Sequence, residues 1–283
     1  MKIPTFVLIY FDSEIIQKSL NFLIKNPMLE IHVIENKSIT TSVNREKILK
    51  LLEEKKIASY MLMEKNISNN AFELILTDHL HLITAHPYVM ITDGDLEIDD
   101  EHWLEEQLSI LEKNRSLFLC AVPLMLDNLP LKAFPSAKDW IPSAISEEET
   151  YSEQLTGIHL CLLRSIEFIS CLQYIKRAGL SFQDSHMHTY CYQMINKKWS
   201  CCKKAKARHL TWDAYADLNH PYTKAKCAKS FKSTWNHTEF CSYTKYTYAN
   251  GSVRECFVRK YAQLERLKKY YHKSTEYYRK ILC

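Results

Sequence analysis

Strand-like and helix-like patterns alternate through the first third of the chain, and this alternation limits the folds that the sequence can adopt. Short runs of β-branched and aromatic residues predict strands at 4–11, 30–35, 59–63 and 88–92. Between them, apolar residues at helical spacing predict amphipathic helices at 13–25, 43–56 and 69–84. Strands that alternate with helices over short links form βαβ units. The sequence therefore predicts an α/β fold with a mixed, mostly parallel sheet flanked by helices.

The alternation continues beyond residue 100. Further patterns predict helices at 101–114, 165–177, 184–197 and 253–282, and strands at 116–123, 157–163 and 199–210. The acidic run at 147–149 is expected in a surface loop or lid. We divide the chain into an α/β domain at 1–215 and a helical, basic extension at 216–283 that packs on it.

Composition excludes several classes of protein. Of 283 residues only four are glycine, and neither G-x-G-x-x-G nor G-x-x-x-x-G-K-[ST] occurs, so any nucleotide must be bound by another device. The start, MKIPTFVLIYFDSE, lacks the long apolar core of a secretory signal, and no window has the roughly 18 apolar residues of a spanning helix. The ten cysteines show no paired spacing and are expected to be reduced. The sequence predicts a cytoplasmic protein.

Charge is divided unevenly along the chain. Residues 203–283 contain 18 Lys/Arg and 6 Asp/Glu, whereas the remaining residues contain 19 and 27. Such a basic end could bind an anionic partner, namely a phospholipid surface, a phosphate-bearing ligand or nucleic acid. Alternatively, its charges only solvate the surface of a helix. No recognisable nucleic-acid module is present. The helix predicted within 251–283 either packs on the domain, which its tyrosines on several faces favour, or makes a peripheral membrane contact.

The string TDGDLEID at 92–99 is the most informative motif. Asp93 and Asp95 lie two residues apart at the exit of the fourth strand, where both carboxylates can approach one hard cation. A diphosphate with its divalent metal needs this arrangement, with open coordination positions for phosphate oxygens. Ligands of such sheets bind beyond the carboxyl ends of the strands. The same edge is expected to hold the polar residues Asp12, Glu35 and Asn36.

With this D-x-D motif after an apolar strand, and with the strings PTFVLIYFDSE and EIHVIENKS before it, the chain resembles glycosyltransferases of the GT-A fold, particularly family 2-like enzymes. The resemblance covers roughly residues 4–215. It implies that 1–215 is a nucleotide-sugar-binding and catalytic domain. It also implies that Asp93 and Asp95 hold Mn²⁺ or Mg²⁺ on the donor diphosphate.

The resemblance implies further roles residue by residue. Nucleotide-sugar contacts fall on Asp12, Glu35, Asn36, Asn70, Asp93 and Trp212. His209, in ARHLTWD, matches the position of a third metal or diphosphate contact, and an imidazole there favours manganese. Asp184, in SFQDSHMH, matches the catalytic base, although Gln183 stands where the family usually has Glu. Ala71 likewise follows Asn70 where the family often has glycine. Turn or helix-cap roles remain the alternative, with Asp184 as an N-cap.

The function expected from this resemblance is metal-dependent transfer of a sugar from a nucleoside-diphosphate sugar to an acceptor hydroxyl. The acceptor would be a glycan, a glycolipid or other lipid-linked acceptor, or a surface polysaccharide. If Asp184 is the base, the anomeric configuration inverts. If Asp184 only caps a helix, a retaining mechanism stays open. A sugar-phosphate nucleotidyltransferase is one alternative, although residues 10–20 lack its glycine-rich loop. A non-catalytic GT-A-like binding protein is the other.

Overall fold

The computed structural model describes residues 2–228 and 242–259. Its strands are β1 (Ile3–Ile9), β2 (Leu29–Glu35), β3 (Ser59–Met63), β4 (Tyr88–Asp93), β5 (Leu96–Ile98), β6 (Leu117–Ala121), β7 (Ala144–Glu147), β8 (Tyr151–Gln154), β9 (Cys161–Arg164), β10 (Lys198–Cys202), β11 (Ala207–His209), β12 (Tyr243–Ala249) and β13 (Ser252–Val258). Its α-helices are α1 (Ser13–Ile24), α2 (Thr41–Glu53), α3 (Leu74–Asp78), α4 (Leu80–Thr84), α5 (Trp103–Lys113), α6 (Ser165–Arg177), α7 (Asp184–Thr189), α8 (Leu210–Tyr215) and α9 (Pro221–Ala228). Short 3₁₀ helices occur at Ser68–Glu73 and Pro135–Trp140, and a short π-helix occurs at Tyr190–Met194.

Eleven of these strands form one mixed sheet, in the order β13-β12-β3-β2-β1-β4-β9-β6-β10-β8-β7. The central strands β3, β2, β1 and β4 run parallel to one another, and β6 runs parallel to β10. Antiparallel pairing joins β9 to β4 and β6, and it forms both margins of the sheet. Strands β5 and β11 form a separate two-stranded ribbon. The predicted α/β fold with a mixed sheet flanked by helices is confirmed.

The sequence of the central strands explains why helices cover both faces of the sheet. All seven residues of β1, IPTFVLI, are buried, so neither face of this strand can be left in water. On one face, β1 packs with apolar residues of α1, α2 and α5, including Leu20, Ile48 and Leu104. On the other face it packs with residues of α3 and α6, including Ile75 and Phe168.

Two elements have the boundaries that the sequence predicts. The strand at Ser59–Met63 and the helix at Ser165–Arg177 agree residue for residue. The single helix predicted at 69–84 is instead three short pieces with a break at His79. This side chain is buried, with its ring 4.7 Å from that of His32 and 5.3 Å from that of Phe6. Tertiary packing of one residue therefore overrides the local helical pattern.

The helix predicted at 253–282 is wrong over 253–258, because these residues form β13, which pairs with β12. Asn250 and Gly251 connect the two strands with positive φ angles of 54° and 83°. Asn-Gly favours this two-residue hairpin turn, because both central residues must adopt positive φ. The remainder of the predicted helix, from residue 260, lies outside the described residues. The domain boundary between 215 and 216 stays a prediction.

The described helices include no segment with the length and apolarity needed to cross a bilayer.

Candidate functional site

A cleft of about 710 Å³ opens at the carboxyl ends of the central parallel strands. The strand register explains its position, because Leu8 pairs with Asp93 and Ile9 pairs with Glu35, so these strands end together. Of the residues singled out from the sequence, those that line the cleft are Asp12, Asn36, Asn70, Asp93, Asp95, Asp184, His209 and Trp212. Glu35 is not among the lining residues.

Gly94 brings the two aspartates close against the end of β1. Its backbone N–H donates a 2.7 Å hydrogen bond to the Leu8 carbonyl oxygen. A Cβ at this position would lie 2.3 Å from Ile9 Cγ2, which is closer than real side-chain contacts allow. The motif therefore requires glycine between Asp93 and Asp95 for steric reasons.

The ribbon of β5 and β11 places His209 beside Asp95. Within it His209 pairs with Leu96, and the Leu210 N–H donates to the Asp95 carbonyl at 2.8 Å. The Thr211 hydroxyl donates to Asp95 Oδ2 at 2.8 Å, and His209 Nδ1 lies 3.6 Å from the same oxygen. Asp95 Oδ1 is buried and accepts no hydrogen bond from the described part of the chain. One carboxylate oxygen is thus fixed and the other is available.

His159, which the sequence reading missed, also lines the cleft. Because β9 runs antiparallel to β4, the residues just before β9 lie next to the end of β4. His159 Nδ1 lies 3.7 Å from Asp93 Oδ2, and the His159 ring lies 5.8 Å from the ring of His209. Burial, with a smaller effect of His209, lowers the pKa of His159 to about 3, so its imidazole is neutral at physiological pH.

The donor atoms around Asp93 and Asp95 suit a divalent cation whose coordination is completed by a substrate. Two carboxylates with nearby imidazoles form an oxygen-and-nitrogen set of the kind that Mn²⁺ accepts. Asp95 Oδ1 is buried, has no hydrogen-bond partner in the described ranges, and could therefore coordinate a cation. Within 2–228 and 242–259, no three His, Cys, Asp or Glu side chains converge as a preformed metal site. When substrate phosphates supply some of the ligands of a cation, the protein needs to supply only one or two carboxylates.

Asp184 lies in the same cleft but is not the cap of α7, because Gln183 occupies the N-cap position. The Phe182 N–H, two residues before it, donates to Asn70 Oδ1 at 2.7 Å and anchors this segment. Asp184 Oδ1 is buried without a hydrogen-bond donor among the described residues. Burial raises the pKa of this carboxyl to about 6, and backbone hydrogen bonds oppose the shift. These properties suit a carboxylate that exchanges a proton with a ligand.

Asn36 and Asp12 line the cleft while also organising its loops. The side-chain amide of Asn36 donates to the Ser68 carbonyl at 3.1 Å, and its oxygen accepts from the Ile67 N–H at 3.0 Å. Asp12 is the N-cap of α1, where Oδ1 accepts from the N–H groups of residues 14 and 15. Both side chains therefore stabilise the local backbone through hydrogen bonds that do not depend on a ligand.

Glu35 is placed in the interior, behind the cleft. Its side chain is fully buried and accepts hydrogen bonds from Tyr60 Oη at 2.5 Å, Thr41 Oγ1 at 2.8 Å and Asn44 Nδ2 at 3.1 Å. Burial raises the pKa of this carboxyl, and the three hydrogen bonds oppose the shift. Asn36, the next residue, lines the cleft, whereas Glu35 does not. Successive side chains of an extended segment point to opposite faces, which explains why these two neighbours differ.

Aromatic rings form one wall of the cleft. Trp212 stacks on His209 with ring centroids 4.9 Å apart and an interplanar angle of 5°. Trp140 lies 6.1 Å from Trp212 and 6.2 Å from Tyr215, and 39% of its surface is exposed. The stack with Trp212 holds the imidazole of His209 in a fixed orientation beside Asp95.

No family model matches the chain. Protein L142 of Acanthamoeba polyphaga mimivirus is 41% identical over 247 residues, which cover 86% of this chain and 50% of that protein. Protein L137 of the same virus is 38% identical over 250 residues, covering 87% of this chain and 34% of that protein. Both are described only as uncharacterized. The chain spans half or less of the length of these relatives.

Solved structures resemble the chain in fold. A mannosyltransferase of Pyrobaculum calidifontis in complex with GDP-Man and Mn²⁺ has a TM-score of 0.48 and 13% identity, covering 74% of this chain and 56% of that one. GalNAc-T7 with UDP, GalNAc and Mn²⁺ has a TM-score of 0.49 and 11% identity, covering 84% of this chain and 56% of that one. At these identities the likeness concerns the fold alone.

Proposed function

We propose that the chain is a GT-A-type, family 2-like glycosyltransferase that moves a sugar from a nucleoside-diphosphate sugar to an acceptor hydroxyl with the help of a divalent cation. One observation carries this proposal: the aspartates of the D-x-D motif share a cleft with Asp184, a carboxyl whose buried oxygen has no donor among the described residues. Direct displacement at a sugar carbon needs carboxylates that bind the cation and a separate carboxylate that accepts the proton of the acceptor hydroxyl.

Asp93 and Asp95 are the proposed ligands, and Mn²⁺ or Mg²⁺ the proposed ion. Thr211 fixes Asp95 Oδ2, which leaves Asp95 Oδ1 for the cation. His209 lies within 3.6 Å of Asp95 and assists there as a ligand or as a hydrogen-bond donor to the diphosphate. The bound cation supplies positive charge that stabilises the departing diphosphate.

Asp184 is the proposed base. A carboxyl with a pKa of about 6 is mostly ionised at neutral pH and accepts a proton more readily than an ordinary aspartate. As the acceptor oxygen forms its bond to the anomeric carbon, its proton passes to Asp184 and the bond to the diphosphate oxygen breaks. Direct displacement of this kind inverts the anomeric configuration.

Incubation with a panel of nucleotide sugars and glycan acceptors, with EDTA or with Mn²⁺, tests the proposal. We expect release of nucleoside diphosphate only with the metal, and NMR of the product should show inversion. An Asp93→Ala/Asp95→Ala double variant should lose activity on the order of 10²-fold or more. Asp99→Asn is the matched control, because Asp99 is exposed and lies outside the cleft.

Other outcomes identify the alternatives. Pyrophosphate release from a nucleoside triphosphate and a sugar phosphate would assign the cleft to a nucleotidyltransferase. Tight binding of nucleotide sugars without turnover on any acceptor would indicate a binding protein. Near-normal turnover by the double variant would refute the metal site.

A further inference from the structure

His159 has no role in the proposed reaction, yet it lies between the two groups that perform it. On one side, its Nδ1 is 3.7 Å from Asp93 Oδ2. On the other side, a Cβ added to Gly157 would lie 2.6 Å from His159 Nε2 and 3.2 Å from Asp184 Oδ2. The imidazole therefore lies between the D-x-D motif and the base, and its close approach to residue 157 is possible because that residue is glycine.

The chemistry of the reaction determines what occupies this interval. The anomeric carbon carries both the bond that breaks, toward the diphosphate, and the bond that forms, next to the base. It must therefore lie between Asp93 and Asp184, with the rest of the transferred sugar around it. The two ring nitrogens of a histidine can form hydrogen bonds, and a sugar hydroxyl can either donate to such a nitrogen or accept from its N–H.

We propose that His159 binds a hydroxyl of the transferred sugar and positions its anomeric carbon between Asp93 and Asp184, an inference that rests on the proposed function. Its Nδ1 is buried and forms no hydrogen bond with the part of the chain that the structure describes. The strand contact at this residue is made by the main chain, where the His159 carbonyl accepts from the Val122 N–H at 3.4 Å. The side chain is thus not required for pairing of the strands.

Binding measurements separate this role from a role at the metal or the diphosphate. We would titrate the wild-type protein, in Mn²⁺, with a nucleotide sugar that it uses and with the corresponding nucleoside diphosphate. His159→Phe keeps an aromatic ring but removes both nitrogens. We expect its affinity for the nucleoside diphosphate to stay within about twofold, while its affinity for the nucleotide sugar falls roughly tenfold.

Two further variants and a control complete the design. His159→Asn and His159→Gln restore a polar group near Nδ1 or Nε2, and at least one should recover part of the lost affinity and of the transfer rate. His86→Phe is the matched control, because His86 is a half-buried histidine that precedes β4 at the opposite edge of the sheet. Circular dichroism and melting curves of all variants check the fold.

The outcomes distinguish this inference from the proposed function. Equal loss of affinity for the diphosphate and the nucleotide sugar, or weaker Mn²⁺ binding, would place His159 at the metal and overturn the inference. Unchanged affinity of every His159 variant for the nucleotide sugar would overturn it as well. A wild-type protein that binds no nucleotide sugar would overturn the proposed function itself, and this inference with it.

Discussion

At the scale of single residues, Asp184 combines a proposed catalytic use with a cost to stability. Its buried Oδ1 has no donor within the described ranges, and burial raises the pKa of the carboxyl from 3.8 to about 6. The folded state therefore binds this proton more tightly than the unfolded state. The resulting stabilisation is fully present below the ordinary pKa and is lost as the pH rises through about 6. At neutral pH the ionised carboxylate weakens the fold.

Asp184→Asn removes this ionisable group at nearly constant shape. We expect the variant to be more stable than the wild type at pH 8, by about 1–3 kcal/mol, because a shift of two pKa units corresponds to roughly that free energy. The difference should shrink toward pH 4, and transfer activity should fall about 10²-fold or more. Denaturant melts at both pH values measure the effect, with Asp99→Asn as the control. Lower stability of Asp184→Asn at pH 8 would contradict this account.

The activity of the wild type should follow the ionisation of the same carboxyl. A base works only when deprotonated, so kcat/KM should rise about tenfold per pH unit below a pH of about 6 and level off above it. Residual transfer by Asp184→Asn should lack this rise. Initial rates between pH 5 and pH 8, at saturating Mn²⁺, provide the measurement. A wild-type profile that is flat across pH 6 would remove Asp184 as the base.

Glu35 should matter for stability and not for nucleotide binding. Tyr60→Phe removes the donor at 2.5 Å from this buried carboxyl, and we expect a loss of about 1–3 kcal/mol in the free energy of unfolding. Glu35→Gln should bind nucleoside diphosphate as the wild type does, because the side chain lies outside the cleft. Calorimetric titration beside denaturant melts separates the two effects. Lost nucleotide affinity in a stable Glu35→Gln protein would restore the role that the sequence suggested.

At the scale of elements, the contact between β1 and the turn after β4 determines where the D-x-D motif lies. A methyl group on Gly94 would meet Ile9 Cγ2 at 2.3 Å and the Leu8 carbonyl oxygen at 3.2 Å, so the turn must move. We expect Gly94→Ala to cost about 1–3 kcal/mol of stability and to weaken Mn²⁺-dependent nucleotide binding in the protein that still folds. Asp99→Ala, at an exposed position nearby, is the control. Unchanged nucleotide affinity in Gly94→Ala would show that the motif tolerates displacement.

Strand pairing also explains which parts of the site the sequence could predict. Asp93 and Asp95 were accessible to sequence reasoning because they follow a recognisable strand directly. His159 was not, because only the antiparallel pairing of β9 with β4 brings it to the same edge. The direction of a strand within a mixed sheet is a tertiary property that local patterns do not encode. Glu35 was placed at the correct edge, but the face to which its side chain points was not recognised.

The hairpin of β12 and β13 did leave a local signal. Asn250-Gly251 stands between runs rich in Tyr, Thr, Val and Phe, which predict strands joined by a tight turn. The apolar periodicity through 253–282 predicts one helix, whereas the Asn-Gly dipeptide just before it predicts a hairpin turn. At 59–63 and 165–177, in contrast, pattern and end signals agree, and the predicted boundaries are correct.

At the scale of the whole molecule, this hairpin extends the central sheet beyond its parallel part. Strand β12 pairs antiparallel with β3, and its residues Tyr243 and Tyr246 are buried. The ring of Tyr246 stacks on that of Tyr60 at 5.3 Å, and Tyr243 Oη donates to Asp78 at 2.5 Å. The hairpin therefore covers the edge of β3 and completes one side of the core.

Truncation tests how far the fold depends on this hairpin. Removing residues 242–283 exposes the edge of β3 and the face of Tyr60, and it removes two buried tyrosines, Tyr243 and Tyr246. Each such side chain contributes about 1.5–3 kcal/mol by burial, so we expect the free energy of unfolding to fall by several kcal/mol, or the chain to aggregate through the exposed strand.

A chain that ends after Arg259 keeps the hairpin and serves as the matched control. A chain without 242–283 that melts like this control would show that the sheet is stable without β12.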